Sequence, residues 1–396
     1  MMNIFARHQD DQKKNDPQKS FLKFSILKGF MAFRKRRDGS TYQFPFTAFR
    51  KLLFHNPLLS RDGSTYQFPF TAFRKLLFHN PRGVALITVI LIIVILIAVV
   101  IELNRSSRAD IYDAANLSDG IKLSYIAKSG FYGAAALLNN SPGAYTSLRD
   151  DWAKMETVSL QSNTLFPEGY FIARIEDEAG KIPLNKLVDG EEYNEEIRTM
   201  LDRLLAQPEF GLKDRQIDEI IDAIKDWIDT DENTTGYGAE SNYYESLDSP
   251  YQAKNAPFDC IEELLMVKGI TKEIFYGTKD KPSLAKYVTA DSEGLININT
   301  APKIVLRSLS DDISSELADR LDEYRMEKSH DVSGNQWYKQ VPGMENITIN
   351  QNLITVKSTY FKIVSTGKIS NMSRTVTGIV ATGDQAQIAI ITWRQD

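Results

Sequence analysis

The sequence has 396 residues, 42% hydrophobic and 25% charged, a globular composition with room for about two domains. Its charge is divided: residues 1–83 carry 16 basic and 5 acidic side chains, net +11, whereas residues 84–396 carry 31 and 47, net −16, so a basic arm suited to the cytoplasmic side of a membrane precedes an acidic body that repels nucleic acid and attracts cations. The single cysteine, Cys260, excludes an intrachain disulfide, and with His330 the sole histidine beyond residue 83 the acidic body can build no multi-histidine or Cys₂His₂ zinc site.

The arm contains one 21-residue segment twice, at 37–57 and unchanged at 61–81. Structural repeats normally diverge and come in three or more copies, so this pair reads as a recent duplication in a leader under little constraint. A basic, Phe-rich membrane-surface segment is the alternative, and whether translation starts at Met1 or Met31 stays open.

Residues 84–101 are apolar at every position except Thr88. A membrane-crossing helix needs about 20 such residues, and no small-residue signal cleavage site follows the run. The basic flank and the wider charge asymmetry place the N-terminus inside. The run starts directly after Asn80-Pro81-Arg82-Gly83, the junction of a prepilin-type leader: a peptidase at the membrane surface must fit extended backbone, and glycine has no side chain to clash. Cleavage after Gly83 would leave Val84 as the N-terminus. Helical spacing continues through Ile121, Leu123, Ile126, Phe131, Ala134, Leu137 and Leu138 to the breaker cluster Asn139-Asn140-Ser141-Pro142-Gly143. One helix is therefore expected from 84 to about 140, roughly 85 Å at 1.5 Å per residue.

In the body, amphipathic helices are expected at 191–207 and 213–229, the second with Ile217, Ile220, Ile221, Ile224 and Ile228 as one stripe. Asp229-Thr230-Asp231-Glu232-Asn233 then leads to Glu240, which sets oxygen ligands at positions 1, 3, 5 and 12 of an EF-hand count, but with Thr234 where position 6 needs glycine. Such a loop either wraps a hard cation or is simply solvated. A third helix is expected from Asp259, capped by Glu262. Short helices at about 302–309 and 313–328 follow, then strands at 354–364, 374–381 and 387–393. A Ser-His-Asp triad would have to use His330 in Lys328-Ser329-His330-Asp331, a polar loop after a helix, so no enzyme is expected.

The chain resembles the K-type minor pseudopilins of type II (general) secretion systems. The matching stretches are Arg82-Gly83-Val84-Ala85-Leu86, Gly169-Tyr170-Phe171 through Gly180-Lys181-Ile182-Pro183-Leu184-Asn185, Asp226-Trp227-Ile228-Asp229-Thr230-Asp231 with Gly238-Ala239-Glu240, Pro250-Tyr251, Glu262-Glu263-Leu264, and Ile296-Asn297-Ile298-Asn299-Thr300-Ala301. They cover about residues 82–394, and the long duplicated arm departs from the family's short leader.

The resemblance implies an α+β pilin-like fold with a long N-terminal transmembrane helix, an antiparallel sheet and an inserted all-helical domain. The expected domains are a leader at 1–83, a transmembrane half-helix at 84–101, a soluble half-helix at 102–140, a body at 141–190 and 291–396, and a helical insert at 191–290. It further implies structural calcium at Asp229, Asp231 and Glu240, with Asn233 a lesser candidate. Prepilin peptidase would cut and methylate the chain in the inner membrane, the body would be periplasmic, and minor pseudopilins of the I and J types would be its partners at the pseudopilus tip, without nucleic acid. Thr88, fifth from Val84, stands where major pilins carry a glutamate that pairs with a neighbour's N-terminal amine in lipid, and its lack of charge suits a tip subunit. A competing reading is a DNA-binding minor pilin, because Leu264-Leu-Met-Val-Lys-Gly-Ile-Thr271 resembles a helix-hairpin-helix. Thr271 replaces the usual second glycine, and the −16 charge opposes a polyanion.

Overall fold

The apolar run and the amphipathic segment behind it form one unbroken helix, α1, Pro81–Asn139. The computed structural model describes residues 81–140, 143–383 and 388–396, so the duplicated arm lies outside the described residues except for Pro81. Contacts divide the chain into two units, through Asn104 and from Arg105. In the first, residues 85–104 are exposed all round, with Leu86, Ile90, Ile93 and Ile97 each about half accessible or more. This helix is long and apolar enough to cross a membrane. Thr88 is exposed on it, and Gly83 and Val84 fall in its first turn.

In the second unit, α1 stays bare longer than its periodicity suggests: Ile111, Leu117 and Ile121 are exposed, and burial begins at Leu123. From there Leu123, Ile126, Ala127, Phe131, Ala134, Ala135 and Leu138 form a stripe at three- and four-residue spacing, packed on a four-stranded antiparallel sheet. The strands are β1 (Tyr170–Asp177), β2 (Tyr360–Ile369), β3 (Met372–Thr382) and β4 (Ile388–Gln395), adjacent in that order. β2 alternates strictly and sends Phe361, Ile363, Ser365 and Ile369 inward. A two-residue turn joins β2 to β3, where Ser370 takes the positive φ (50°) that such hairpins need. Helix and sheet approach closely at Gly367, where a Cβ would lie 2.8 Å from the Leu123 carbonyl and 2.9 Å from the Ala127 nitrogen.

The second core belongs to a helical lobe. Helices α2 (Glu195–Leu205) and α3 (Asp214–Ile228) pack with α4 (Lys303–Ser308) and α5 (Ser315–Met326) around Trp227, Leu264, Leu284 and Val288. The apolar cluster of this lobe runs from Ile182 through the expected insert at 191–290 and on to Val356.

Two local expectations fail. The strand expected at 354–364 is two pieces: Ile354–Thr355 pairs in parallel with Ile296–Asn297, and β2 starts only at Tyr360. The break follows from Ser358, whose hydroxyl donates to Asp177 (2.5 Å) and whose N–H donates to the Thr146 hydroxyl (3.1 Å), which turns the backbone out of the ladder. The helix expected from Asp259 is a 3-10 turn, Ile261–Met266. Glu263, not Glu262, closes its start by accepting from the N–H groups of Asp259 and Cys260, while Glu262 pairs with Arg394 at 3.1 Å.

Candidate metal centre

The centre sits where α3 ends. The stripe Ile217, Ile220, Ile221, Ile224 and Ile228 is buried as its spacing requires. The opposite side of the last turns is buried as well, because the chain leaves the helix at Asp229 and residues 229–240 fold back over it. Two carboxylates on α3 organise that return. Asp226 accepts from the Thr235 N–H (3.0 and 3.2 Å), and Asp222 accepts from the Tyr237 N–H (2.8 Å) and the Tyr193 hydroxyl (2.6 Å). Between these anchors Gly236 takes φ +49°, and Gly238 lies so near Asp226 that a Cβ would meet its carboxylate.

The fold-back brings Glu240 onto Asp226 and Asp229, with one carboxylate oxygen from each within 4.8 Å of the others. All three residues are at most 2% exposed. Both oxygens of Glu240 and Oδ1 of Asp229 are buried without a hydrogen-bond partner. Burial pushes the Asp226 carboxyl up to about 6 and also raises that of Asp229. Burial, with the charges of Asp226 and Asp229 beside it, pushes Glu240 up to about 8. Asp226 in the last turn and Asp229 at the C-cap position also lie at the C-terminal end of α3, the negative end of its dipole. Buried negative charge of this density is stable only when neutralised by protons or a cation. An all-oxygen donor set suits a hard ion such as calcium, which takes further carbonyl or water oxygens.

One cation is already inside. Lys225, 6% exposed, places Nζ 2.6 Å from Asp229 Oδ2 and 3.0 Å from the Thr235 hydroxyl. Burial works against its ammonium, but the bond to Asp229 and the charges of Asp229, Asp226 and Asp231 together outweigh that and hold its pKa above the usual lysine value.

Of the residues singled out in the sequence, Asp229 and Glu240 converge. Asp231 stands outside the group: it is only partly buried, and its Oδ1 accepts from the backbone N–H of the exposed Asn233 at 2.5 Å. Asp226 belongs to the group although its spacing does not signal it, because an EF-hand count starts at Asp229 and because 226 lies on the side of α3 away from the isoleucine stripe. Nor does spacing single out Glu232. It clamps the loop by accepting from the Ser241 and Asn255 side chains (2.9 and 3.0 Å), partners that no local spacing reveals.

The other sequence candidates are engaged elsewhere. The His330 ring stacks on Tyr324 at 3.8 Å with Nδ1 3.0 Å from the Tyr324 carbonyl, and the neighbouring Ser329 hydroxyl bonds Glu327. In the hairpin-like stretch 264–271 the Lys268 ammonium donates to the Tyr237 and Gly238 carbonyls (2.8 and 3.1 Å) and pairs with Glu219.

A family profile described as "Type II secretion system (T2SS), protein K" matches residues 180–290, the stretch that holds this centre. The type II secretion system protein K of Pseudomonas aeruginosa is 27% identical over 321 residues, 78% of this chain and 91% of that protein. The Aeromonas hydrophila protein of the same name is 25% identical over 234 residues, covering 55% and 66%. In fold, the chain is similar to one chain of the GspK-GspI-GspJ complex from the enterotoxigenic Escherichia coli type 2 secretion system, with a TM-score of 0.57 at 16% identity over 72% of this chain and 99% of that one. Residues 180–290 thus match the type II secretion system protein K profile, and the chain is similar to proteins of that name in sequence and to the solved complex in fold.

Proposed function

We propose that this chain is the K-type minor pseudopilin at the tip of a type II secretion pseudopilus, where it starts assembly and supports export of proteins across the outer membrane. The observation that carries this is α1: one helix that opens as a bare apolar run and continues, without a break, into a stripe packed on an antiparallel sheet. In this reading prepilin peptidase cuts after Gly83 and the new N-terminus at Val84 is methylated. Residues 84–101 then hold the subunit in the inner membrane with the body in the periplasm. Thr88 offers no carboxylate to a neighbour's amine, which is tolerable only where no further subunit is added. Partners of the I and J types are inferred from the complex in which the solved relative sits.

We further propose that Asp226, Asp229 and Glu240 hold calcium. The orphaned oxygens of Asp229 and Glu240 fit such an ion. When bound, it would neutralise the three acids together with Lys225 and lock the loop 229–240 against α3. Asp222 and Glu232 shape the loop, and Asp226 orients it through Thr235.

The test is a strain lacking its own K protein, complemented with this chain. Secretion should return, the mature protein should begin at Val84, and it should co-purify with the I and J pseudopilins. A mature protein that keeps its basic arm, or one that purifies without them, would remove the tip assignment.

A further inference from the structure

Lys225 is an anomaly in the centre just described. A buried ammonium beside candidate cation ligands repels any ion that enters, yet its environment is built: Asp229 Oδ2 at 2.6 Å, the Thr235 hydroxyl at 3.0 Å, and the Tyr193 ring centroid at 5.6 Å. Asp229 divides its two oxygens, since Oδ2 takes Lys225 and Oδ1 has no partner in the protein. Both groups are inaccessible, with side-chain exposures of 7% for Lys225 and 0% for Asp229. Three carboxylates against one ammonium leave two negative charges, the charge of one divalent ion.

Resting on the reading of Asp226, Asp229 and Glu240 as a cation centre, we propose that Lys225 is its resident counter-cation, which holds Asp229 in place when no ion is bound and sets the centre's charge to match a divalent ion. Lys225 is thus a positioning and selectivity residue, and no ligand. Asp229 bridges the two cations, one through each oxygen. The arrangement trades affinity for preorganisation: the ammonium weakens ion binding by like-charge repulsion at short range, but it partly neutralises the acids and keeps the return loop seated through Thr235 before any ion arrives.

The experiment compares the full-length chain in detergent with Lys225→Met and Lys225→Arg, using calcium chloride and lanthanum chloride as probes. Calorimetric titration reads affinity, and melting temperature in chelator reads the ion-free fold. Lys225→Met should bind calcium roughly tenfold or more tightly than the parent, gain still more for the trivalent ion, and melt at a lower temperature without ions. Lys225→Arg, which keeps the charge, should stay near the parent. If the methionine variant does not fold, Lys225→Gln keeps a donor for Asp229 without the charge and serves the same comparison. Calcium binding by the variant alone would overturn the match to a divalent ion, since Lys225 would then exclude calcium from the parent's site. Calcium affinity unchanged or weaker in the uncharged variants, with the parent binding normally, overturns the role of Lys225 and leaves the centre standing. Binding by neither protein overturns both.

Discussion

Two buried acidic clusters in this protein handle the same cost in opposite ways. Asp177, at the end of β1, lies between the sheet and the helical lobe and is fully served by protein donors. Its Oδ2 accepts from the hydroxyls of Ser358 and Thr300 (2.5 Å each), and its Oδ1 accepts from the Ala179 N–H at 2.9 Å. Next to it, Glu178 is held by Lys181 at 2.6 Å and by Thr289 at 2.5 Å. At the end of α3, by contrast, Glu240 has no donor on either oxygen and Asp229 has none on Oδ1. A buried carboxylate whose acceptors are filled behaves as a structural tie, whereas one left open still needs a proton or a cation to offset its burial.

The largest effect should separate the two directly. Asp177→Ala strands Ser358, Thr300 and Asn297 around a missing acceptor and should cost about 3–5 kcal/mol in chemical denaturation of the full chain. Glu240→Gln, measured with calcium chelated, should lie within about 1 kcal/mol of the parent or above it, because an uncompensated acid is removed. Equal losses in both would mean that Glu240 has a donor in the protein and that the contrast is void.

Acid sharpens the comparison next. Burial pushes Asp177 up to about 6 against its hydroxyl bonds, above its ordinary value of 3.8. The folded state thus binds this proton more tightly than the unfolded chain does. Stability from Asp177 is full below about pH 4, falls as pH rises through 6, and is flat above. The span is about 3 kcal/mol by linkage. The difference between parent and Asp177→Asn, followed by denaturant midpoint from pH 4 to 7, should show that slope. A difference that does not change with pH would place the tie in its geometry alone.

Calcium removal should be slightly smaller. At 100 times its dissociation constant the ion stabilises the folded state by about 2.7 kcal/mol. Chelation should lower the melting point accordingly, and Asp226→Asn or Glu240→Gln should abolish the shift. The smallest effect belongs to Asp231→Asn, expected within about 0.5 kcal/mol of the parent with calcium present. A loss as large as that of Asp226→Asn would return Asp231 to the ligand set.

Much of the architecture follows from local pattern. Residues 84–101 are apolar at every position but Thr88, which is enough to specify a helix long and apolar enough to cross a membrane. Strict alternation from Tyr360 to Ile369 specifies one face of a sheet, and the isoleucine stripe of α3 specifies its buried side. Asp229 and Glu240 were legible because an acidic loop behind a helix is a local signal. The strand Tyr170–Asp177 was not among those expected, and its partner β2 lies nearly two hundred residues away.

Tertiary structure decided the rest, and the reason is the same each time. Asp226 and Lys225 project from the polar side of an amphipathic helix, and nothing in their spacing indicates burial. They become inaccessible only because residues 229–240 return over them, fixed by N–H groups of Thr235 and Tyr237 that no pattern assigns. Glu263 replaced Glu262 as a cap because Arg394, far along the chain, takes Glu262. Periodicity reports which side of an element is apolar. Whether the polar side meets water or another part of the chain depends on long-range return of the backbone, and that return is what places an acid, a lysine and an open oxygen in one buried site.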